Sequence, residues 1–395
     1  MTTSDDWDLV IVGAGPAGSA AALGALARHP DARVLLLDRA GFPRDKSCGD
    51  GIAPHALDVL ADVGAGGLYD DWAPVTRLRL QLGERSVARS MARPALVIPR
   101  RVFDSRLVAR AVEAGAVLRC HRVRSVRIDA DSITVDDTIR ARVLVGADGA
   151  HSGMRRYAGL SPVGRRALAL RGYVPTPDTR RGEQLIVFGQ ARQPSYAWSF
   201  DRGDGLSNVG YGEVLNSTHS PPSRRLLLSE LDRLLPGSVD AGHSWLGHHL
   251  PLSTWRWRQP DGRILLAGDA AGLVNPMTGE GIFYAVLTGA LAGKVAAEVA
   301  LGQATAADSG RLYRREVQVR LARHLRHTAV LSRLVAAPEI VVSGIVAASA
   351  QQGVFDDLVE IGLGNGRITS RTAGQVLRHA PVAIARLGRE RRETS

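Results

Sequence analysis

The sequence predicts an α/β protein: a Rossmann-like nucleotide-binding domain, split by an inserted antiparallel β-sheet domain and followed by a C-terminal helical region. Three observations carry this reading. The first 40 residues run strand, glycine turn, helix, strand. Residues 161–260 hold short alternating runs separated by glycine and proline. From residue 306 onward the runs are helical, first arginine-rich and then apolar. The expected boundaries are 1–160 and 261–305 for the two parts of the nucleotide-binding domain, 161–260 for the sheet domain, and 306–395 for the helical region.

The opening unit is the most informative. The apolar run DLVIV at 8–12 leads into Gly13, Gly15 and Gly18, an alanine-rich helix follows, and a second run, RVLLLD, ends at Asp38. This is the dinucleotide fingerprint in its full context. Gly13 allows the tight turn, Gly15 lets backbone N–H groups approach a pyrophosphate, and Gly18 lets the helix pack closely on the strand. The helix N-terminus, with Pro16 and Ala17, favours negative charge. Asp38 can accept from ribose hydroxyls.

Composition narrows the class. The 395 residues carry a formal charge of +11, 45% hydrophobic and 23% charged residues, so a large core is available and global disorder is excluded. Mean hydropathy is −0.04, and no run of about 18 apolar residues reads as a membrane span. The opening MTTSDDWDLVIVGAG places acidic residues before its apolar run and has no small-residue cleavage site, so it does not read as a signal peptide. Lys46 and Lys294 are the only lysines, so the positive charge is almost all arginine, and no RNA- or DNA-binding motif accompanies it. Nucleic acid is therefore not an expected partner; an anionic substrate or a membrane surface stays open. Cys48 and Cys120 cannot build a disulfide framework, and a reducing, cytoplasmic location is expected, with membrane association open. His248 and His249 lack carboxylate or cysteine partners at metal spacing and read as surface or packing residues; no metal is expected.

Three later segments bear on which nucleotide is bound. Arg100 opens R-x-x-F-D-x-x-L and can reach a phosphate or a ring system, although alone it reads as a solvated arginine. VLVGADGAHSGMRR at 143–156 contains D-G-x-x-S-x-x-R, with Asp148 and Gly149. ILLAGD ends in Gly268 and Asp269, and after Pro276 comes a second glycine turn, Gly279-Glu280-Gly281, before a helix starting at Ile282. That helix can aim N–H groups at an electron-rich pyrimidine edge. Together with the opening unit, these segments resemble the p-hydroxybenzoate-hydroxylase-like superfamily, in the family's order over residues 9–289. The resemblance implies FAD. It implies that Asp269 meets ribityl or phosphate-linked oxygens and that Asp148-Gly149 supports the cofactor.

Within that superfamily, Lys46-Ser47-Cys48-Gly49-Asp50-Gly51 resembles the K-x-C-G-x-G signature of geranylgeranyl reductases, which saturate isoprenoid chains. The resemblance implies that Cys48 lies beside the isoalloxazine and that Arg39, Lys46, Gly49, Asp50 and Gly51 line the cofactor; a buried apolar role for Cys48 is equally open. Tyr196, Trp198 and Phe200 match the family's Y-x-W-x-F-P except that Asp201 replaces the proline. Alternation puts the three rings on one strand face, which suits a greasy substrate or the packing of the sheet's own core.

The expected activity is reduction of a carbon–carbon double bond in an isoprenoid or similar lipophilic metabolite. Cys48, Asp50, Tyr196 and Tyr211 are the candidate proton donors or relays, and NAD(P)H, another reductant or an electron-donor protein is the expected source of electrons. An FAD-dependent aromatic or polyketide monooxygenase is the alternative, and a redox-neutral flavin-bound cyclase is a third class. Halogenation, which needs a tunnel lysine, is disfavoured because Lys46 and Lys294 are the only lysines and Lys46 belongs to the signature. Trp255 and Trp257 read as part of a return strand at 248–262. In the basic stretch 310–334, Leu312, Val319, Leu321, Leu325 and Val330 read as a partial apolar stripe. Residues 334–350 read as a buried helix walling a lipophilic pocket, and the end, RLGRERRETS, as a tail.

Overall fold

The computed structural model describes residues 5–189, 193–215 and 220–379; the basic tail lies outside them. In chain order the elements are β1 (Asp5–Val12), α1 (Pro16–Arg28), β2 (Val34–Asp38), β3 (Gly51–Ile52), α2 (Pro54–Asp62), β4 (Pro74–Leu82), β5 (Arg85–Val97), α3 (Arg100–Glu113), β6 (Val117–Cys120), β7 (Val126–Ile128), β8 (Ile133–Val135), β9 (Ile139–Gly146) and α4 (Met154–Tyr157). The chain continues with β10 (Arg166–Pro175), β11 (Glu183–Phe188), β12 (Ser195–Asp201), β13 (Leu206–Val214), α5 (Arg224–Leu234), β14 (His243–Pro251), β15 (Ile264–Leu266), α6 (Ile282–Ala300), α7 (Ser309–Leu334), α8 (Pro338–Ala350) and α9 (Gln352–Leu363).

The first sheet has the order β6-β2-β1-β9-β8-β7, with β15 on the free part of β9. Its central pairs β2–β1, β1–β9 and β9–β15 are parallel. Such strands are covered on both faces and need continuous apolar runs; Leu9–Val12 and Val34–Leu37 are buried accordingly. α1 lies against α6 at backbone distance. A Cβ on Gly289 would lie 2.0 Å from the Ala17 carbonyl oxygen, and one on Gly293 would lie 1.9 Å from that of Ala21. α6 is apolar all round and long enough for a membrane span, but 89% of its apolar window is buried within the fold. It is the core helix of this domain.

The second sheet has the order β14-β10-β13-β12-β11-β4-β5-β3. It does not respect the expected boundary at 161. Three of its eight strands come from residues 51–97, and β11 pairs β4 in parallel. α5 packs Leu227 and Leu231 on one face, with Leu170, Leu185 and Tyr211. α8 and α9 pack Val341, Val342, Ile345 and Phe355 on the other, with Val75, Leu78 and Val97. The apolar segment 334–350 is therefore a wall of the sheet, entered through a 116° bend after α7.

Two expectations need correction. The return strand is β14, His243–Pro251, and not 248–262: its pairing with β10 runs out at Arg166 and Pro251. Trp255 is consequently exposed in a loop, and Trp257 packs edge-on against Tyr313. In α7 the buried face carries Tyr313, Val317, Leu321, His324 and Leu325; Val319 and Val330 are 78% and 50% exposed. The apolar stripe is rotated because tyrosine and histidine, which a hydrophobic count passes over, also face the core.

Candidate functional site

One cavity of about 1200 Å³ runs from the β1–α1 turn, under the second sheet, to α7, α8 and α9. Its floor is the glycine turn. Gly13 has φ +103°, and a Cβ there would lie 2.3 Å from the Ala147 carbonyl oxygen, so only glycine fits. Gly18 does not line the cavity. Its missing Cβ makes room for the Gly13 carbonyl, which closes helix against strand. A Cβ on Gly15 would meet only the guanidinium ends of Arg44 and Arg100, at 3.5 and 3.8 Å. The turn, the uncapped N-terminus of α1 and two guanidiniums thus form an anion cradle. The Arg44 Nε is buried there with no partner among the described residues. These features fit the pyrophosphate of FAD.

The other floor residues are held by one another. Asp38 accepts from the N–H groups of Ala14 and Ala40, at 2.8 and 2.9 Å, so only part of its carboxylate is free for a ribose. Arg100 is buried and forked onto Asp104 at 2.6 and 2.8 Å; it is a wall group and not a solvated arginine. Asp148 lines the cavity, but its carboxylate accepts from Ser152 and from the N–H groups of Gly153 and Met154. It fixes the start of α4. Lys46 reaches Asp269 at 3.6 Å, which joins the K-x-C-G-x-G loop to the strand-end acid. Arg39, Gly149, Pro276, Gly279, Gly281 and Ile282 line the same cavity. Gly268 lies behind it, with φ +58° and close contact with Ala17 and Ala285.

The loop around Cys48 is clamped from above. Arg171 on β10 donates to Asp45 and to the Lys46 carbonyl, and Ser47 donates to the Leu246 carbonyl. Asn208 on β13 donates to the Cys48 carbonyl and to Asp50, both at 2.8 Å, and accepts from the Trp198 indole, also at 2.8 Å. The Tyr173 hydroxyl donates to the same Asp50 oxygen. Asp50 is fully buried behind the cavity wall, with φ +61°; burial pushes its carboxyl up to about 6. It braces the loop and does not line the cavity, so it is not placed to donate directly to a substrate there. Cys48, Gly49 and Gly51 do line the cavity, and burial raises the Cys48 thiol, which keeps it protonated.

Tyr196, Trp198 and Phe200 face the cavity together, as alternation on β12 requires. The facing strand makes the room: Gly210 pairs with Trp198, and a Cβ there would lie 2.2 Å from the indole. Tyr211 pairs with Ala197, so it points to the opposite face and is buried under α5. That corrects the expectation for Tyr211. The Tyr196 hydroxyl donates to the Thr278 carbonyl, and burial raises its pKa.

Several cavity groups were not singled out from the sequence. Arg44 gave no signal beyond basic character. Glu280 was visible only as the middle of a glycine turn; it lines the cavity, and burial pushes its carboxyl up to about 7. His248, expected as a packing residue, also lines the cavity, and burial and the Lys46 ammonium push it down to about 4. Among the described residues no cluster of ligands could hold a metal ion.

Residues 6–188 match the FAD binding domain family. A solved geranylgeranyl bacteriochlorophyll reductase-like protein of Thermoplasma acidophilum superposes with a TM-score of 0.79 at 21% identity, covering 97% of this chain and 99% of that one. Fold, cradle and family match together define an FAD-dependent oxidoreductase. A menaquinone reductase of Mycolicibacterium smegmatis is 32% identical over 313 residues, 73% of this chain and 76% of its own. A digeranylgeranylglycerophospholipid reductase of Methanopyrus kandleri is 35% identical over 323 residues, 74% and 81%. The chain belongs to the geranylgeranyl reductase family of flavoproteins.

Proposed function

We propose that this flavoenzyme saturates carbon–carbon double bonds of an isoprenoid chain or another lipophilic metabolite. The observation that carries the reading is the continuity of the cavity. It passes from the anion cradle, past Cys48 and the Tyr196–Trp198–Phe200 face, into a wall of Leu78, Leu80, Ile186, Val341, Ile345 and Leu358. A long apolar chain would bury its length there while one end met the cofactor. Bound FAD in its reduced form supplies the hydride. Gly13, Gly15, Arg44 and the α1 N-terminus would hold the pyrophosphate, and Asp38 would meet the ribose. Asp269, positioned by Lys46, would meet ribityl or phosphate-linked oxygens. The α6 N-terminus, with Gly279, Gly281 and Ile282, would serve the pyrimidine edge. The aromatic face and the C-terminal helices orient the substrate and exclude water.

The electrons come from NAD(P)H, another reductant or an electron-donor protein. The arginine-rich exposed side of α7, near the cavity-lining Leu331 and Leu334, supports contact with an anionic membrane surface while a lipid substrate enters. Dithionite-reduced protein is mixed anaerobically with prenylated quinones and prenylated lipids, and the product is weighed by mass spectrometry. A gain of two hydrogens per bond is expected. A product that forms only with oxygen and gains one oxygen atom would establish the monooxygenase instead.

A further inference from the structure

Saturation of an alkene takes a hydride, which reduced FAD supplies on becoming oxidised FAD, and a proton on the second carbon, which the protein must supply. The cavity around Glu280 is lined by the second sheet and the C-terminal helices, and whatever donates the proton must be recharged before the next turnover. We propose that Glu280 is the proton source of this cavity and that His55 and Glu360 form the path that returns a proton to it. The inference rests on the reductase reading above.

Glu280 stands between Gly279 and Gly281, at the start of α6, and lines the cavity. Its place is set by backbone. The Asn275 N–H donates to its carbonyl at 2.7 Å, and the Phe283 N–H donates to its Oε1 at 2.8 Å. Among the described residues no lysine or arginine is paired with it; the N–H groups of Ile282 and Phe283 favour its carboxylate, but burial outweighs them. The titratable groups that feel its charge are Cys48 from the clamped loop, Tyr196 from β12, Tyr284 from α6 and His55 from α2. Burial keeps the carboxyl protonated up to about pH 7, within reach of neutral-pH acid catalysis. The competing donors are worse placed. The Tyr196 proton is committed to the Thr278 carbonyl, Asp50 lies behind the wall, and burial makes the Cys48 thiol a weaker acid.

His55 is in the first turn of α2, shortly after the clamped loop, and its ring packs edge-on against Phe283, 5.9 Å between centroids. Its Nε2 lies 2.9 Å from Glu360 Oε2 on α9, and the Glu360 side chain is 43% exposed. Its Nδ1 is buried with no partner among the described residues. An imidazole with one nitrogen on a solvent-reaching carboxylate and the other unpartnered and buried can take a proton from outside and release one inside. Each turnover then balances. The Glu280 O–H gives its proton to the substrate carbon, the carboxylate left behind is reprotonated through His55, and Glu360 recovers its proton from solvent.

The test begins with the oxidised, FAD-loaded protein and no substrate. Infrared difference spectra across neutral pH are expected to show a carboxylic-acid carbonyl band that is absent in Glu280→Gln and present in Asp50→Asn. After a jump into D2O the shift of that band should slow several-fold in His55→Gln and in Glu360→Gln, each with FAD still bound. In anaerobic single turnovers Glu280→Gln should lower the rate of saturation about 10²-fold and abolish its decline at alkaline pH. An acid band that survives Glu280→Gln, or deuteration unchanged in both path variants, overturns the proposal. If the band and its exchange behave as stated but wild type saturates no alkene, the reductase reading fails and the proton path stands.

Discussion

The nucleotide-binding half and the sheet-and-helix half of this molecule reach close packing by opposite means. In the first, contacts are backbone on backbone. Gly13 meets Ala147, Gly18 meets Gly13, and Gly289 and Gly293 meet Ala17 and Ala21. In the second, bulky side chains interlock. Trp198 fills the space left by Gly210, and Asn208, Asp50 and Tyr173 tie that tryptophan to the Cys48 loop. The difference teaches where each half tolerates change. Backbone contact cannot relax around an added methyl group, whereas a side-chain wall can repack within limits.

The largest effect should come from breaking the backbone contact. Gly289→Val places a branched side chain where the Ala17 carbonyl stands and should cost more than about 3 kcal/mol or abolish folding, read by urea denaturation. Gly15→Val, a few residues away in space from other glycines of the floor, should behave differently. Its Cβ meets only side-chain ends, so the protein should fold and lose FAD; a folded variant with full FAD occupancy would show that the cradle holds something else.

The Glu280 carboxyl is raised from 4.5 to about 7, chiefly by burial. A raised folded-state pKa favours the fold at low pH, and that contribution is lost as pH rises from the unfolded value through the folded one. Glu280→Gln should therefore change little in acid and should stabilise the protein above neutrality, by about 3 kcal/mol at most, in thermal melts across pH. A constant offset at every pH would mean that the carboxyl is not buried as described.

Smaller effects separate the floor from the wall. Asp269→Ala should weaken FAD binding by roughly 1.5–3 kcal/mol through lost charge-assisted hydrogen bonds, measured by fluorescence titration. Cys48→Ala should leave FAD bound and slow saturation less than Glu280→Gln does, because a thiol held protonated by burial is the weaker acid. A loss as large as that of Glu280→Gln would move the proton donor to the thiol.

Local order explains which residues could be read from the chain. The turn at Gly13–Gly18, the acid at Asp38 and the alternation of Tyr196, Trp198 and Phe200 depend on residues within about one element of each other. Tyr211 was misread because its face depends on register against β12, and the pairing of Tyr211 with Ala197 is not visible in β13 alone. Asp50 was misread for a related reason. Its brace consists of Tyr173 and Asn208, 123 and 158 residues away.

The sequence by itself determined the two-part nucleotide-binding frame and the aromatic strand, because glycine turns, alternating runs and strand-end acids act through neighbours in the chain; FAD in particular was implied by the resemblance of its motifs to a flavoprotein family. Only the tertiary structure decided that residues 51–97 join the second sheet, that α9 joins α8 in walling the cavity, and that Arg44 and Glu280 line it with His55 behind them. These depend on long-range pairing, and a buried carboxylate, arginine or histidine has the same letter as an exposed one. Its chemistry is set by the water removed around it and by the partners that distant segments bring.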